Sequence, residues 1–194
     1  MGRRAQFTDD DFLDAAMRLI SEAGPGAATI AAIADLADAP TGSVYHRFAS
    51  RDLLLARLWI RTVQRFQQGF LQALAGDDLD VAAEQAALHV VRWSREHLAE
   101  ARVLLLHRQD DLAQRWPAAL GEELATLNTD VLDAIRRHAR KRYGRVGAPE
   151  LGAVTLALVD LPYAATRRHL GAGKKPPQWV DDLVIRSVPQ LLGS

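Results

Sequence analysis

The sequence predicts an all-α protein, with an N-terminal three-helix head carried on a larger helical body, about nine helices in all. Three observations predict it. Alanine and leucine, both strong helix formers, dominate the 194 residues, whereas aromatics make up 6% and few stretches are rich in β-branched residues. Apolar residues recur every three or four positions in one segment after another. Between those segments stand hydroxyl and carboxylate caps, glycines and prolines, the residues that start and stop helices. With 48% apolar and 25% charged residues, the chain can build a substantial core.

Thr8 caps the first predicted helix, with Asp11 three residues on as an imperfect capping box and Phe12, Ala16, Leu19, Ile20 and Ala23 at helical spacing. Gly24-Pro25-Gly26 stops it. Thr29 caps a second, short helix bearing Ile30, Ile33, Ala34 and Ala37. Pro40 fits the first position of a third short helix, where its missing N–H costs nothing. Ser50 caps a long fourth helix, striped by Leu54, Leu58, Trp59, Phe66, Phe70 and Leu74 and ending at Gly76.

Ala82, Ala86, His89, Val90, Trp93 and His97 mark the fifth helix, and Val103 to Leu112 a sixth that is open to a break. Pro117 opens a seventh with Leu120, Leu124, Leu127, Val131 and Ile135 on one face, closed by Gly144 and Gly147. The eighth runs from Pro149 to about Leu170. After a linker over 171–177 the ninth carries Val180, Leu183, Val184, Ser187, Val188 and Leu191 in register.

The chain has no cysteine, which excludes disulfides, thiolate metal sites and a cysteine nucleophile. No glycine-rich phosphate loop, metal-ligand spacing or nucleophile elbow occurs, so no enzyme activity, cofactor or metal is expected. His107 with Asp110 and Asp111 reads as polar surface on the sixth helix. His89 and His97 lie about 12 Å apart along a helix, too far to share an ion. The N-terminus shows no charged segment leading into an apolar run, and the most apolar stretch, Leu151 to Ala165, is interrupted by Thr155, Asp160 and Pro162. A cytoplasmic protein without a membrane partner is expected.

Net charge is zero, and within residues 1–57 six arginines face eight acids, a balance of −2. The acids Asp9, Asp10, Asp11 and Asp14 sit at a helix start, where they suit its dipole. Arg3 and Arg4 form a basic arm, while Arg47 and Arg51 flank a second point.

Thr29 to Ala37 and Pro40 to Phe48 have the proportions of a helix-turn-helix. Val44 and Phe48 face inward, leaving hydroxyls, a glycine, a phenol, an imidazole and a guanidinium outside, groups that enter a major groove or grip phosphates. The stretch TIAAIADLADAPTGSVYHRFASRDLL, residues 29–54, resembles the DNA-binding region of the TetR family of regulators almost position by position. The resemblance extends over residues 8–57, about a quarter of the chain. It implies that Thr29, Tyr45, His46 and Arg51 hold phosphates while Thr41, Gly42 and Ser43 approach bases. Two positions depart from the pattern: Asp38 replaces a turn glycine and Pro40 a capping serine. Asp tolerates left-handed backbone, whereas proline lacks both hydroxyl and amide hydrogen. The candidate DNA-contacting set is therefore Arg3, Arg4, Thr29, Pro40, Thr41, Gly42, Ser43, Tyr45, His46, Arg47 and Arg51.

The resemblance further implies a head over 1–50 and a ligand-binding, dimerising body over 51–194. The expected partners are a palindromic duplex operator, a second copy of the chain and an unidentified small-molecule effector, which would make the protein a ligand-released repressor. A regulator without a small-molecule switch is the alternative, and a helical enzyme retaining the motif as scaffold a remote third. Candidate effector contacts are Trp59, Phe66, Phe70, His89, Trp93, His97, Leu105, Trp116, Asn128 and Tyr163, aromatic or polar points that could face a cavity. The eighth helix is apolar on two sides and calls for cover on both. Cover by a partner subunit through the eighth and ninth helices places Leu156, Val159, Tyr163, Val180, Val184 and Val188 at the expected dimer interface; cover of the second side by the ninth helix alone is the alternative. The run from Arg136 to Arg145 closes the seventh helix, where cations complement the dipole, and reads as a solvated helix end.

Overall fold

A computed structural model describes residues 7–193, so Arg3 and Arg4 lie outside the described residues. All regular structure within that span is helical. The head comprises α1 (Asp9–Ala23), α2 (Ile30–Leu36) and α3 (Thr41–Arg47). The long α4 (Arg51–Leu74) leads into the body: α5 (Leu79–Glu96), α6 (Leu98–Val103), α7 (Gln109–Arg115), α8 (Pro117–Thr126), α9 (Thr129–Tyr143), α10 (Ala148–Thr155), α11 (Leu161–Gly171) and α12 (Trp179–Leu192). A π-turn, Leu156–Asp160, joins α10 to α11.

The three head caps form as their sequence suggests. Thr8 and Asp11 make a reciprocal capping box, Thr29 Oγ1 accepts from Ala32 N at 3.2 Å, and Ser50 Oγ accepts from Leu53 N at 3.1 Å. One apolar cluster joins Phe12 and Ala16 of α1, Ile33 of α2 and Val44 of α3 to Leu54 and Leu58 of α4, and continues into Leu112, Leu120 and Leu124. In the body α5 is the central helix, packed against α4, α11 and α12. Buried Ala82, Ala83, Ala86 and Ala87 keep its surface slim. Arg95 fastens the linker to α12, donating from Nε to the Pro176 carbonyl at 2.8 Å and pairing with Asp181. Among the described residues no helix is long and apolar enough to cross a membrane.

Four predicted elements differ. Pro40 is the N-cap of α3 and not its first residue; its carbonyl accepts from Ser43 N at 2.8 Å. The sixth predicted helix divides into α6 and α7. Between them the chain turns at Leu104 to Leu106, where the Leu104 carbonyl accepts from Trp59 Nε1 at 3.2 Å. The seventh predicted helix breaks at Leu127 and Asn128, because Asn128 turns its amide to Gln67 and Gln109. The eighth carries the π-turn: the Leu161 amide bonds to the Leu156 carbonyl five residues back. Pro162 follows immediately and has no N–H to continue an α-ladder; inserting one residue before it is the usual helical accommodation.

Candidate nucleic-acid interface and effector cavity

α2 ends in a Schellman turn. Ala39 N bonds to Ala34 O at 2.9 Å and Asp38 N to Asp35 O at 3.1 Å, with Asp38 in the left-handed region at φ 51°. This turn sets α3 across α2 and anchors it through fully buried Val44. Thr41, Gly42, Tyr45 and His46 are left exposed, Ser43 is half-buried, and 56% of Tyr45 is accessible. A Cβ added to Gly42 would meet nothing within 4 Å, so internal packing does not require its bare backbone.

The acids of α1 are matched inside the head. Arg47 Nη1 pairs with Asp9 Oδ1 at 2.5 Å, and Arg61 of α4 pairs with Asp10 at 2.9 Å and Asp14 at 2.7 Å. Asp11 is engaged by Thr8, whose backbone amide and then hydroxyl hold its carboxyl below the usual carboxylate range. The negative balance of the head is thus largely neutralised in place, although Arg47 is occupied as a result. Arg51 donates from Nε to the Ala28 carbonyl at 2.7 Å and from Nη2 to the Pro25 carbonyl at 2.5 Å. Its guanidinium tacks α4 to the α1–α2 connection, and this corrects the expectation that it is available to phosphate.

Below the head a cavity of about 420 Å³ opens between α4, α5, the α6–α7 turn and α11. Trp59, Phe66 and Phe70 of α4 form one wall; Val159, Tyr163 and Leu170 form another. A chain of amides runs along its edge. Gln67 donates to Asn128 at 2.8 Å, Asn128 to Gln109 at 2.6 Å, and Gln109 to the Leu124 carbonyl at 2.6 Å. His107 also lines the cavity, half-buried, with its Nε2 atom buried and without a hydrogen-bond partner. Burial is the main cause that pushes its pKa down, so the ring is neutral near pH 7. Ion pairs link the first turns of α4 to α7 and α8: Asp52 with Arg115 at 2.6 Å, and Arg57 with Glu123. Among the described residues no three His, Asp or Glu side chains gather as a metal site.

Residues 12–58 match the sequence profile of bacterial regulatory proteins of the tetR family. Over that span, α1 to the first turns of α4, the head is similar to that family's. Three solved structures share the whole fold. A transcriptional regulator from Rhodococcus sp. Rha1 aligns at TM-score 0.69 and 17% identity, over 96% of this chain and 97% of its own. The fatty acid degradation regulator FadR of Bacillus halodurans aligns at 0.65 and 16%, over 96% and 99%. A protein of Streptomyces coelicolor A3(2) assigned to the transcriptional regulators aligns at 0.64 and 22%, over 95% and 98%. At these identities the likeness establishes the fold alone. No curated protein matches the chain.

Within the head the predicted contacts divide clearly. Thr29, Pro40, Thr41, Gly42, Tyr45 and His46 are exposed together on the α2–α3 side, whereas Arg47 and Arg51 are engaged internally. Of the cavity candidates, Trp59, Phe66, Phe70, Asn128 and Tyr163 line it. The other five do not. His89 donates its Nε2 hydrogen to the Phe66 carbonyl at 2.9 Å and lies over Gly69, where a Cβ would come within 2.3 Å of its ring. Trp93 stands edge-on behind Phe66 at 5.3 Å, and His97 pairs with Glu100 at 2.7 Å. Leu105 packs with Trp93, Ala101 and Leu170; Trp116 sits under Arg115 at 4.6 Å, against the head core. Gln67, Ser94, His107 and Gln109 escape sequence reasoning, because isolated polar residues on amphipathic helices look like surface.

The expected interface also needs correction. Val180, Val184 and Val188 are buried within the protomer, in one cluster with Ala83, Ala87 and Val91 of α5, and cannot meet a partner. Val159 is half-buried and faces the cavity. Leu156 and Tyr163 remain exposed, joined by Trp179 and Leu183 of α12.

Proposed function

We propose that this protein is a DNA-binding transcriptional repressor that reads a palindromic operator as a homodimer and leaves it when a small molecule occupies the cavity beside α4. The observation that carries the reading is α3: a short helix anchored by Val44 that turns Thr41, Gly42, Tyr45 and His46 to solvent. In this reading Thr41, Gly42 and Ser43 approach base edges, with Pro40 beside them. Thr29, Tyr45 and His46 hold phosphates, and Arg3 and Arg4 extend the contact from the N-terminal arm. Arg47, beside them in sequence, is held back by its ion pair with Asp9.

Pairing is assigned to the exposed apolar residues Leu156, Tyr163, Trp179 and Leu183 on the C-terminal helices. Twofold symmetry then sets half-sites roughly 34 Å apart. The division at Ser50 into a reading head and a binding, dimerising body belongs to this proposal, as do a cytoplasmic location and a non-catalytic role. The switch follows from shared parts. Trp59, Phe66 and Phe70 belong both to the cavity wall and to α4, whose first residues carry the head. A displacement of α4 that changes DNA affinity by about 1–3 kcal/mol is sufficient for regulation.

The test is a mobility-shift titration on duplex flanking the protein's own gene, across salt concentrations. Salt-sensitive, sequence-preferring binding is expected, with Tyr45→Ala weakening binding broadly across sequences. Absence of such binding refutes the reading, and an unchanged Tyr45→Ala variant refutes the docking.

A further inference from the structure

The walls of the α4–α11 cavity contain no Asp, Glu, Lys or Arg. Its polar groups are few, and His107 alone among them has a side-chain polar atom that is buried and unpartnered. The amides of Gln67, Asn128 and Gln109 donate along their chain to the Leu124 carbonyl. Ser94 donates back to the Val90 carbonyl at 2.7 Å, and Trp59 donates to the Leu104 carbonyl. Tyr163 is an exposed side chain. In this lining the buried polar atom that lacks a partner is His107 Nε2. A buried polar atom left unpaired costs about 1–3 kcal/mol, and in a native structure it calls for an explanation.

We propose that the effector of this cavity is an uncharged, largely apolar molecule bearing one hydroxyl or carbonyl group, which bonds to His107, and that carboxylates and ammonium ions of the same shape are rejected. A hydroxyl suits either tautomer of the ring, since it both donates and accepts. A carboxylate would bring its charge against aromatic and aliphatic walls with no cation to meet it, a transfer whose cost far exceeds that of losing one neutral hydrogen bond. The volume of about 420 Å³ lies toward the small end for ligand sites and fits a molecule of modest size. The inference rests on the proposal that the cavity is the effector site.

The experiment uses the full chain and Prodan, a neutral naphthalene ketone whose emission shifts to the blue in an apolar site. Prodan is then displaced by octan-1-ol, octanoate, octylammonium or butylbenzene. Blue-shifted, saturable Prodan binding is expected, with octanol displacing it at roughly 100-fold lower concentration than either ion. His107→Phe should weaken octanol about 5- to 10-fold while leaving butylbenzene unchanged, and His107→Gln should recover most of the loss. Melting curves of both variants establish that they fold. No Prodan binding overturns the effector site itself. Prodan binding with octanoate or octylammonium as effective as octanol overturns the ligand class and leaves the site standing. An octanol-to-butylbenzene ratio that neither variant moves overturns His107 as the anchor.

Discussion

Replacing Asp9 with asparagine tests whether the head holds back one of its own cations. Arg47 leaves α3 toward the start of α1 and meets Asp9 at 2.5 Å, with the carboxylate side chain 58% exposed. A pair that open to solvent contributes about 0.2–1 kcal/mol, so a phosphate can compete for the arginine, but only against that contribution. The substitution keeps the size of the side chain and its polarity at the helix N-terminus while removing the charge. Taking about 0.5 kcal/mol per protomer, two protomers gain about 1 kcal/mol in DNA binding, a roughly fivefold lower Kd. Each additional phosphate contact steepens the slope of log K against log salt by about 0.9, hence by about 1.8 for a dimer. The assay is fluorescence anisotropy on a labelled operator duplex between roughly 50 and 200 mM salt, the range in which phosphate contacts are most visible. Asp9→Asn in an Arg47→Gln background supplies the control, where the steepening should vanish. A parallel salt plot for Asp9→Asn and the wild type would refute the reasoning, since Arg47 would then be either already on the DNA or out of its reach.

Gly42→Ala should raise stability by about 0.5–1 kcal/mol, because the added methyl meets nothing within 4 Å and alanine favours the helix, yet weaken DNA binding where the backbone must approach bases. Thermal melting and anisotropy on one preparation check the two opposite signs. Asp38→Gly should stabilise by about 1 kcal/mol, since φ of 51° strains an L-residue and not glycine, as a melting shift of roughly 2–4 °C would record. Burial lowers the pKa of His89, His107 and His138 in the folded protein. The unfolded chain therefore binds more protons below pH about 6.5, and stability present above that value is lost as pH falls. Denaturant unfolding at pH 7.5 and 5.5 should show the decrease, and His138→Gln should flatten it.

Much of the head is legible in the sequence because its determinants are local. Thr8, Thr29 and Ser50 bond within three residues of themselves, and Asp38 occupies a turn closed by its own neighbours. What escapes depends on residues remote in sequence. The apolar phase of Leu120, Leu124, Leu127 and Val131 continues through the α8–α9 break, and the cause of the break lies 61 and 19 residues away, at Gln67 and Gln109. Spacing shows that Val180, Val184 and Val188 share a face, but the element covering that face proves to be α5 of the same chain. Arg47 and Arg51 sit where phosphate contacts are expected, and only the folded head reveals that Asp9 and two carbonyls reach them first. His107 looks like surface beside Asp110 and Asp111; the adjoining turn carries it into the cavity instead.

The five-residue turn at Leu156–Asp160 gives the last long helical stretch a change of phase. One residue in an α-helix corresponds to a rotation of about 100°, so everything after Asp160 is indexed differently from everything before it. Removing a single residue there would swing Tyr163 and Leu170 around the barrel of their own helix, out of the wall they share with Val159. The site would be closed or reshaped without any of its lining side chains having been replaced, and insertions or deletions at this one point offer a route to a different chemical preference on an otherwise unaltered scaffold.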